Sequence, residues 1–388
     1  MDATSVVIAD VIPLKDKRVS DIDYWVHPTL PFNSLIITAS DDGLKAFDFE
    51  YFSEVSTIKS DASLASIHVV YQLYRDNASG ARNDSPSNVQ AYAVTSNQSG
   101  PAINFYEIDN TSRQFKAFGS LNVPDIKNID KVCGGNIEND ALALFVISDD
   151  KFIALDLEKN SVDKFIIKIM ESVSHRNGVD CTVDPSSARV WTASKDGGIF
   201  LFSDGRLNRI HQTDYSIMAL DLTPRAPLDN EPSFAVLDEP SVQKASLTSG
   251  SNTAGVLISV AHDNGLITLI SPDGDSRGRY RFSGSFDYVD HTASTAFGMG
   301  FGNFGAVYRG GAVAVAGPGP AYTENGLNDP SGRSVDNSSA SYVRIVPWNS
   351  VLSALSLPVE FPLNPRAPYP IEEDDGVLNI NPTFGEGK

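Results

Sequence analysis

The chain has 388 residues, 41% of them hydrophobic, and a formal net charge of −19 at pH 7. This acidity argues against nucleic acid and anionic membrane surfaces as partners, because like charges repel. No apolar run is long enough to cross a bilayer. Calcium prefers carboxylate ligands, so the charge alone is consistent with either a well-solvated surface or cation binding.

Six β-hairpins are predicted along the chain. Each has two short runs rich in β-branched and aromatic residues on either side of a polar or glycine-containing turn. The clearest hairpin spans residues 188–202, with Lys195-Asp196-Gly197-Gly198 at its turn. The paired runs of the other five are 35–38 with 44–49, 92–95 with 103–108, 142–147 with 152–157, 256–260 with 266–270, and 312–316 with 342–346.

The hairpins recur every ~45 to 75 residues, which is the range of propeller blades. One blade cannot bury its apolar face alone, so six blades would have to close radially around a channel. The sequence therefore predicts an all-β, six-bladed propeller over residues 1–355. The N-terminal run Val6-Val7-Ile8 is expected to complete the last blade.

Three segments fall outside the repeats. Residues 223–251 are predicted to form a surface insertion between the fourth and fifth blades, and residues 317–341 a second one. The tail, 356–388, contains six prolines and an acidic run, which disfavour helix and sheet interiors. Long loops on a rigid scaffold are frequent binding devices, so these three segments are candidates for holding a protein partner. Simple tolerance of insertions is the alternative.

Several motifs, in the same order along the chain, resemble those of the β-propeller phytases. They are Asp-Ile-Asp-Tyr-Trp-Val-His-Pro at 21–28, Val-Thr-Ser-Asn-Gln-Ser at 94–99, Cys-Thr-Val-Asp at 181–184 with Asp-Gly-Gly-Ile-Phe at 196–200, Tyr-Arg-Gly-Gly at 308–311, and Val-Pro-Trp at 346–348. The resemblance implies a six-bladed propeller and calcium-dependent release of phosphate from inositol phosphates.

Most of the residues that this family uses for chemistry are replaced here. Acidic Asp41 and Asp42 stand where the family has a lysine, and Gln98 stands where it has an arginine. Ser194 and Lys195 replace a pair of glutamates, and the strand at 66–70 lacks the family's acid and arginine. Phosphomonoester hydrolysis of this kind needs hard cations and basic side chains. The sequence therefore predicts a phytase-like propeller that has lost phosphatase activity and serves as a binding or assembly module.

The alternative is an active calcium-dependent phosphomonoesterase. Its calcium ligands would be six aspartates, with Lys195 and Arg309 binding phosphate. The six are Asp21, Asp23, Asp180, Asp184, Asp196 and Asp263. A weaker alternative is an intracellular WD-repeat scaffold, although the Trp-Asp and Gly-His signatures of those repeats are missing.

The two cysteines and the N-terminus bear on the compartment. Cys133 and Cys181 are too few for a zinc set or a disulfide framework; they either bridge neighbouring blades or remain as buried thiols. Met1 is followed directly by Asp-Ala-Thr-Ser, without a signal-peptide pattern. Kinship with the phytases implies a secreted or periplasmic protein whose signal peptide has been removed, and a cytoplasmic protein is the alternative.

Two further patterns indicate structure rather than chemistry. The six histidines show no metal-ligand spacing. The glycine-rich stretch 298–305 has no following lysine or helix pattern, so it is interpreted as a β-turn and not as a phosphate-binding loop.

Overall fold

The protein forms six β-sheets arranged around a central channel. The computed structural model describes residues 3–14, 18–71, 90–137, 141–159, 165–184, 189–224, 256–272, 274–323, 341–357, 371–372 and 378–379. The innermost strands of successive blades contact one another in a closed ring, and the last of them contacts the first. The six-bladed propeller predicted from the sequence is confirmed.

In each blade, four strands pair antiparallel from the channel outwards. The predicted hairpins form the two middle strands of every blade, because these strands are buried on both faces and carry the longest apolar runs. Blade 1 contains β3 (Val19–Trp25), β4 (Leu35–Ser40), β5 (Gly43–Asp48) and β6 (Glu54–Lys59); blade 2 contains β7 (Leu64–Tyr71), β8 (Ala91–Asn97), β9 (Ala102–Ile108) and β10 (Phe115–Asn122); blade 3 contains β11 (Lys131–Ile137), β12 (Ala141–Ser148), β13 (Lys151–Lys159) and β14 (Phe165–Ser174).

The remaining blades follow the same scheme. Blade 4 contains β15 (Gly178–Val183), β16 (Val190–Ser194), β17 (Gly198–Ser203) and β18 (Arg206–Gln212); blade 5 contains β19 (Ile217–Pro224), β20 (Val256–His262), β21 (Leu266–Ile270) and β22 (Ser276–Ser283); blade 6 contains β23 (Ala296–Gly300), β24 (Ala312–Gly317) and β25 (Ser341–Pro347).

The N-terminal residues close the ring, but through a different strand from the one predicted. Strand β1 (Thr4–Val7), which includes most of the Val6-Val7-Ile8 run, pairs in parallel with β22 as a fifth strand of blade 5. Strand β2 (Asp10–Leu14) pairs antiparallel with β25 and completes blade 6. The prediction was wrong because the run 10–14 contains Pro13, which weakens its strand signal but is tolerated on an outer edge.

The glycine-rich stretch 298–305 is part strand and part loop. Residues 298–300 end the innermost strand β23, where a turn was predicted, and residues 301–305 belong to the loop that follows. Gly298 and Gly300 lie in β23, where a Cβ on Gly298 would approach the Ile22 carbonyl oxygen to 2.3 Å and one on Gly300 would approach the Tyr24 ring to 2.5 Å. These glycines are needed because β3 packs directly against β23 at the point where the ring closes.

The two predicted insertions, 223–251 and 317–341, each connect two strands of one blade. The first insertion was predicted to lie between blades 4 and 5. Because strand β19 of blade 5 extends to Pro224, this insertion instead joins the first two strands of blade 5. Hairpin signals mark only the two middle strands of a blade, so the innermost strand before each hairpin was not predicted. The second insertion joins β24 to β25, and most of both insertions lies outside the described residues.

After blade 6 the chain enters helix α1 (Trp348–Ala354), which packs against β1 and β25. Of the predicted tail, only the first two residues and the short pair β26 (Ile371–Glu372) and β27 (Leu378–Asn379) are described. A 3-10 helix (Pro31–Asn33) lies between β3 and β4. Within the described ranges, no helix has the length and apolarity needed to span a membrane.

The alternation of strand direction divides the loops between two faces. The upper face carries the links between blades and the turns between the two middle strands of each blade. The lower face carries the loops that join first to second strands and third to fourth strands. Each innermost strand runs from the upper face to the lower face. A residue later in such a strand therefore lies closer to the lower end of the channel.

Candidate functional site

Two layers of polar side chains stand along the channel on the innermost strands. They occur at alternate positions, so that on each strand they face the blade that follows. The upper layer contains Asp21, Ser66, Lys131 and Asp180, and the lower layer contains Asp23, His68, Thr182 and Asp221. A β-bulge lies just before the upper-layer residue on β3, β7 and β15, at Asp21, Ser66 and Asp180. Strand β19 also has a register shift, two residues before Asp221.

Four carboxylates in these layers accept backbone N–H groups of the following blade. Asp21 accepts from Ile67 at 3.0 Å and Asp23 accepts from Val69 at 2.6 Å. Asp180 accepts from Leu220 at 3.1 Å, and Asp221 accepts from Met299 at 2.8 Å. An innermost strand is an edge strand, so alternate N–H groups have no sheet partner. These side chains supply the missing acceptors and thereby join neighbouring blades.

Blades 2 and 3 are joined in the same way by uncharged or cationic groups. The Ser66 hydroxyl accepts the Val132 N–H at 2.9 Å. The His68 ring lies within hydrogen-bonding distance of the Gly134 carbonyl oxygen. The pattern of cross-blade bonding is therefore shared, while the residue type at each position varies.

Lysine and histidine partly balance the buried carboxylates. Lys131 Nζ lies 2.9 Å from Asp21 Oδ1 and 3.8 Å from Asp180 Oδ1, and His68 Nδ1 lies 3.2 Å from Asp23 Oδ2. Burial raises the pKa of Asp180 to about 7, with Lys131 opposing the shift. Burial alone would lower the pKa of His68, but the Asp23 carboxylate outweighs it and raises this pKa to about 9. His68 is therefore cationic at neutral pH.

The space among these side chains has room for about one water molecule. It is lined by residues of both layers and by apolar groups such as Ile67, Val132 and Phe297. An inositol polyphosphate cannot fit at this level of the channel. Among the residues that the structure describes, no three His, Cys, Asp or Glu side chains are grouped so that they could hold a metal ion.

The structure brings three of the six predicted calcium ligands together and separates the others. Asp21, Asp23 and Asp180 belong to the channel layers. Asp184 is buried immediately after β15, towards the lower face. Asp196 and Asp263 lie in exposed turns on the upper face of blades 4 and 5.

The two predicted phosphate ligands lie on opposite faces. Lys195 is exposed in the turn between β16 and β17, on the upper face. Arg309 is exposed in the loop between β23 and β24, on the lower face. Because the propeller separates them, they cannot contact the same phosphate group.

Sequence reasoning missed five of the eight channel residues. These are Ser66, His68, Lys131, Thr182 and Asp221. The available signal was a pair of polar residues two positions apart in the run before a hairpin, as in Asp21 with Asp23 and Ser66 with His68. Searching the segments that precede the hairpins, in addition to the hairpins, would have found most of these positions.

A disulfide crosses the channel wall between blades 3 and 4. It joins Cys133 on β11 to Cys181 on β15, with Cα atoms 5.7 Å apart. Both cysteines are buried beside Phe145, Phe152 and Val183. The linkage covalently reinforces the blade contact closest to Lys131 and Asp180.

A second candidate site is an exposed apolar area on the lower face of blades 6 and 1, here called the lower patch. It consists of Leu30, Phe32, Tyr51 and Val307, whose exposed fractions range from 42% to 62%. Phe32 lies against Gly305 in the loop that carries Val307.

The lower patch rests on a group of packed aromatic rings. Phe49 and Phe304 stack with their ring centroids 4.7 Å apart, and Tyr308 packs edge-on against Phe49. The Tyr308 hydroxyl donates to Asp10 on β2. The patch is therefore supported by a rigid base at the closure of the ring.

Comparisons with known proteins assign no family to the chain. No protein-family model matches it, and no curated protein is similar to it in sequence. A structure of BBS1N in complex with ARL6DN, soaked with lead, gives a TM-score of 0.47 at 8% identity, covering 89% of this chain and 98% of that one. A mercury-soaked structure of the same complex gives 0.45 at 9% identity, covering 90% and 99%.

Proposed function

We propose that the chain is a binding or assembly module built on a phytase-like propeller that lacks calcium-dependent phosphatase activity. The observation that carries this proposal is the use of the channel carboxylates. Asp21, Asp23, Asp180 and Asp221 each accept a backbone N–H from the following blade. In this arrangement they stabilise the ring itself.

Calcium binding would compete with this structural role. A calcium ion takes six to eight oxygen ligands, whereas these carboxylates already accept N–H groups and contact Lys131 or His68. An ion in the channel would have to displace the Lys131 ammonium group and would leave backbone N–H groups unsatisfied, which is costly in a buried site.

The lower patch supports a protein partner. Large exposed apolar side chains that rest on packed aromatic rings are typical of interaction sites on soluble proteins, and aromatic side chains are enriched where such sites bind tightly. The two insertions and the tail remain proposed contributors to the same function.

The disulfide supports a secreted or periplasmic location. Structural disulfides form and persist in oxidising compartments and are rare in a reducing cytosol. Burial of Cys133 and Cys181 also protects the bond from exchange.

Calcium titration combined with phosphate release from phytate tests the loss of activity. Isothermal titration of the purified chain with calcium chloride is expected to show no saturable binding in the micromolar range, and phosphate release should stay at the background rate. An active β-propeller phytase serves as the positive control. Saturable calcium binding with phosphate release comparable to that control would overturn the proposal.

A matched pair of variants tests the binding surface. Phe32→Ser with Val307→Ser alters the lower patch, and Phe286→Ser alters the most exposed large apolar residue among those described, in a loop on the upper face. Captures from the secreted or periplasmic fraction should recover a partner with the natural chain and with Phe286→Ser, and lose it with the patch variant. Equal recovery in all three would remove the lower patch from the proposal.

A further inference from the structure

The interface between blades 5 and 6 contains a buried arginine that the proposed function does not use. Arg344 lies on β25, and its side chain is only 1% exposed. It lies on the same face of the strand as Tyr342, whose ring centroid is 5.7 Å from the guanidinium carbon. Its Nη2 donates to the Pro320 carbonyl oxygen at 3.0 Å.

The rest of the guanidinium has no acceptor among the described residues. Neither Nε nor Nη1 has a hydrogen-bond partner there, and no described carboxylate lies within 4.0 Å of the group, the distance at which a salt bridge would form. Burial lowers the pKa of Arg344 to about 10, so the group still carries its charge at neutral pH. A buried, charged donor without an acceptor is strongly unfavourable and calls for an unseen partner.

Among the described residues, the side chains that pack around Arg344 are aromatic or neutral. Tyr322 packs between Tyr288 and Tyr342, with ring centroids 5.7 Å and 6.0 Å away. The nearby His291 is close to Ser294 at 2.8 Å, and burial together with the Arg344 charge lowers its pKa to about 3. His291 is therefore neutral and does not share the charge of Arg344.

The site lies directly beneath the surface. Pro320, whose carbonyl oxygen accepts from Arg344, is itself exposed and belongs to the short segment 318–323. This segment is held by bonds between backbone groups, from Val289 N to Ala321 O at 2.8 Å and from Thr323 N to Asp287 O at 2.9 Å.

We propose that Arg344 anchors a binding site for a small oxyanion between blades 5 and 6. A guanidinium group presents donors in a planar fork that suits the oxygens of phosphate, sulfate or carboxylate. The aromatic wall excludes water and strengthens the charge interaction. This site is separate from the channel and from the lower patch, so the proposal does not depend on the proposed function.

Anion-dependent stability provides the test. Thermal unfolding is measured while sodium phosphate, sulfate or acetate replaces chloride at constant ionic strength. The natural chain should show a saturable rise in Tm with at least one of these anions, and isothermal titration with that anion should fit one site. Arg344→Met should bind at least tenfold more weakly. Arg281→Met is the matched control, because Arg281 is exposed on β22 of blade 5, and it should respond like the natural chain.

Three outcomes would overturn the site. The first is no anion-dependent change in the natural chain. The second is an equal response in Arg344→Met. The third concerns a chain in which acids of the segment 324–340 are neutralised, with Glu324→Gln, Asp329→Asn and Asp336→Asn. If this chain responds to the anion and the natural chain does not, a carboxylate of the chain itself normally binds Arg344. Should Arg344→Met fail to fold, Arg344→Lys and direct titration of the natural chain decide the question.

Discussion

The channel and the interface between blades 5 and 6 both bury charge, but they treat it differently. In the channel, Lys131 contacts two carboxylates and each carboxylate also accepts a backbone N–H. At the interface, Arg344 has one carbonyl acceptor and two nitrogens without a partner among the described residues.

This difference separates structural charge from charge that is available to a ligand. A fully partnered network rigidifies a fold, because every member would be left unsatisfied if it moved. A group that keeps free donors in a dry environment retains its capacity to bind. Acidic residues in a channel are therefore weaker support for a metal site than their number implies.

The largest effect is expected on removing the channel cation. Lys131→Met leaves Asp21 and Asp180 buried without their cation, so the free energy of unfolding should fall by about 3–5 kcal/mol. Urea unfolding followed by tryptophan fluorescence measures the change. Lys195→Met, in an exposed turn, is the control and should stay within about 0.5 kcal/mol of the natural chain. A similar small loss in both variants would show that the channel network does not stabilise the ring.

The second expectation concerns pH. The pKa of His68 is raised to about 9 in the folded chain. Its stabilising contribution to the free energy of unfolding is therefore complete below about pH 6.5 and is lost as the pH rises through 9. At most about 3 kcal/mol is involved, and partial exposure of the ring reduces it. Urea unfolding between pH 6 and 9.5 should show this loss.

A pair of histidine variants isolates the effect of His68 from other titrating groups. His68→Asn should flatten the decline in stability between pH 6 and 9.5. His211→Asn, on the outer strand β18, should leave it unchanged. Parallel slopes in all three chains would exclude the ion pair between His68 and Asp23 as the cause.

A third, smaller effect tests the cross-blade hydrogen bonds without removing a cation. Asp221→Leu leaves the Met299 N–H without its carboxylate acceptor and should cost about 1–3 kcal/mol. Asp221→Asn keeps a side-chain oxygen at the same position and should cost less. Amide hydrogen exchange at Met299 provides the local measurement, with faster exchange expected in Asp221→Leu only. Unchanged protection in that variant would contradict the assigned bond.

The sequence predicted the scaffold well because hairpin signals are local. The middle strands of all six blades, from Leu35 in blade 1 to Val346 in blade 6, follow from apolar runs and turn residues. The innermost strands were harder to predict, since polar residues such as Asp21 or Ser66 break their apolar pattern. The N–H groups that donate to these side chains lie on another blade, 46 residues away for Asp21 with Ile67, and such pairing cannot be inferred from a single strand.

The burial of Arg344 could not be predicted from the sequence either, for a related reason. It stands in an alternating strand, Tyr342 to Val346, where an arginine normally indicates a solvent-facing position. Only the fold shows that this face packs against blade 5 beneath Pro320. Burial of a polar position depends on the neighbouring blade, which lies far away in sequence.

The last and smallest effect contrasts the two regions directly. In chloride buffer without an oxyanion, Arg344→Met should leave the free energy of unfolding equal to or slightly above that of the natural chain. The variant removes the cost of burying an unpaired charge, and it loses the hydrogen bond to Pro320 and the contact with the Tyr342 ring. The corresponding Lys131→Met change is expected to be strongly destabilising. Urea unfolding of both variants in one buffer measures the contrast. An equally large loss at Arg344 would mean that the chain itself supplies its partner, and that both regions bury charge in the same way.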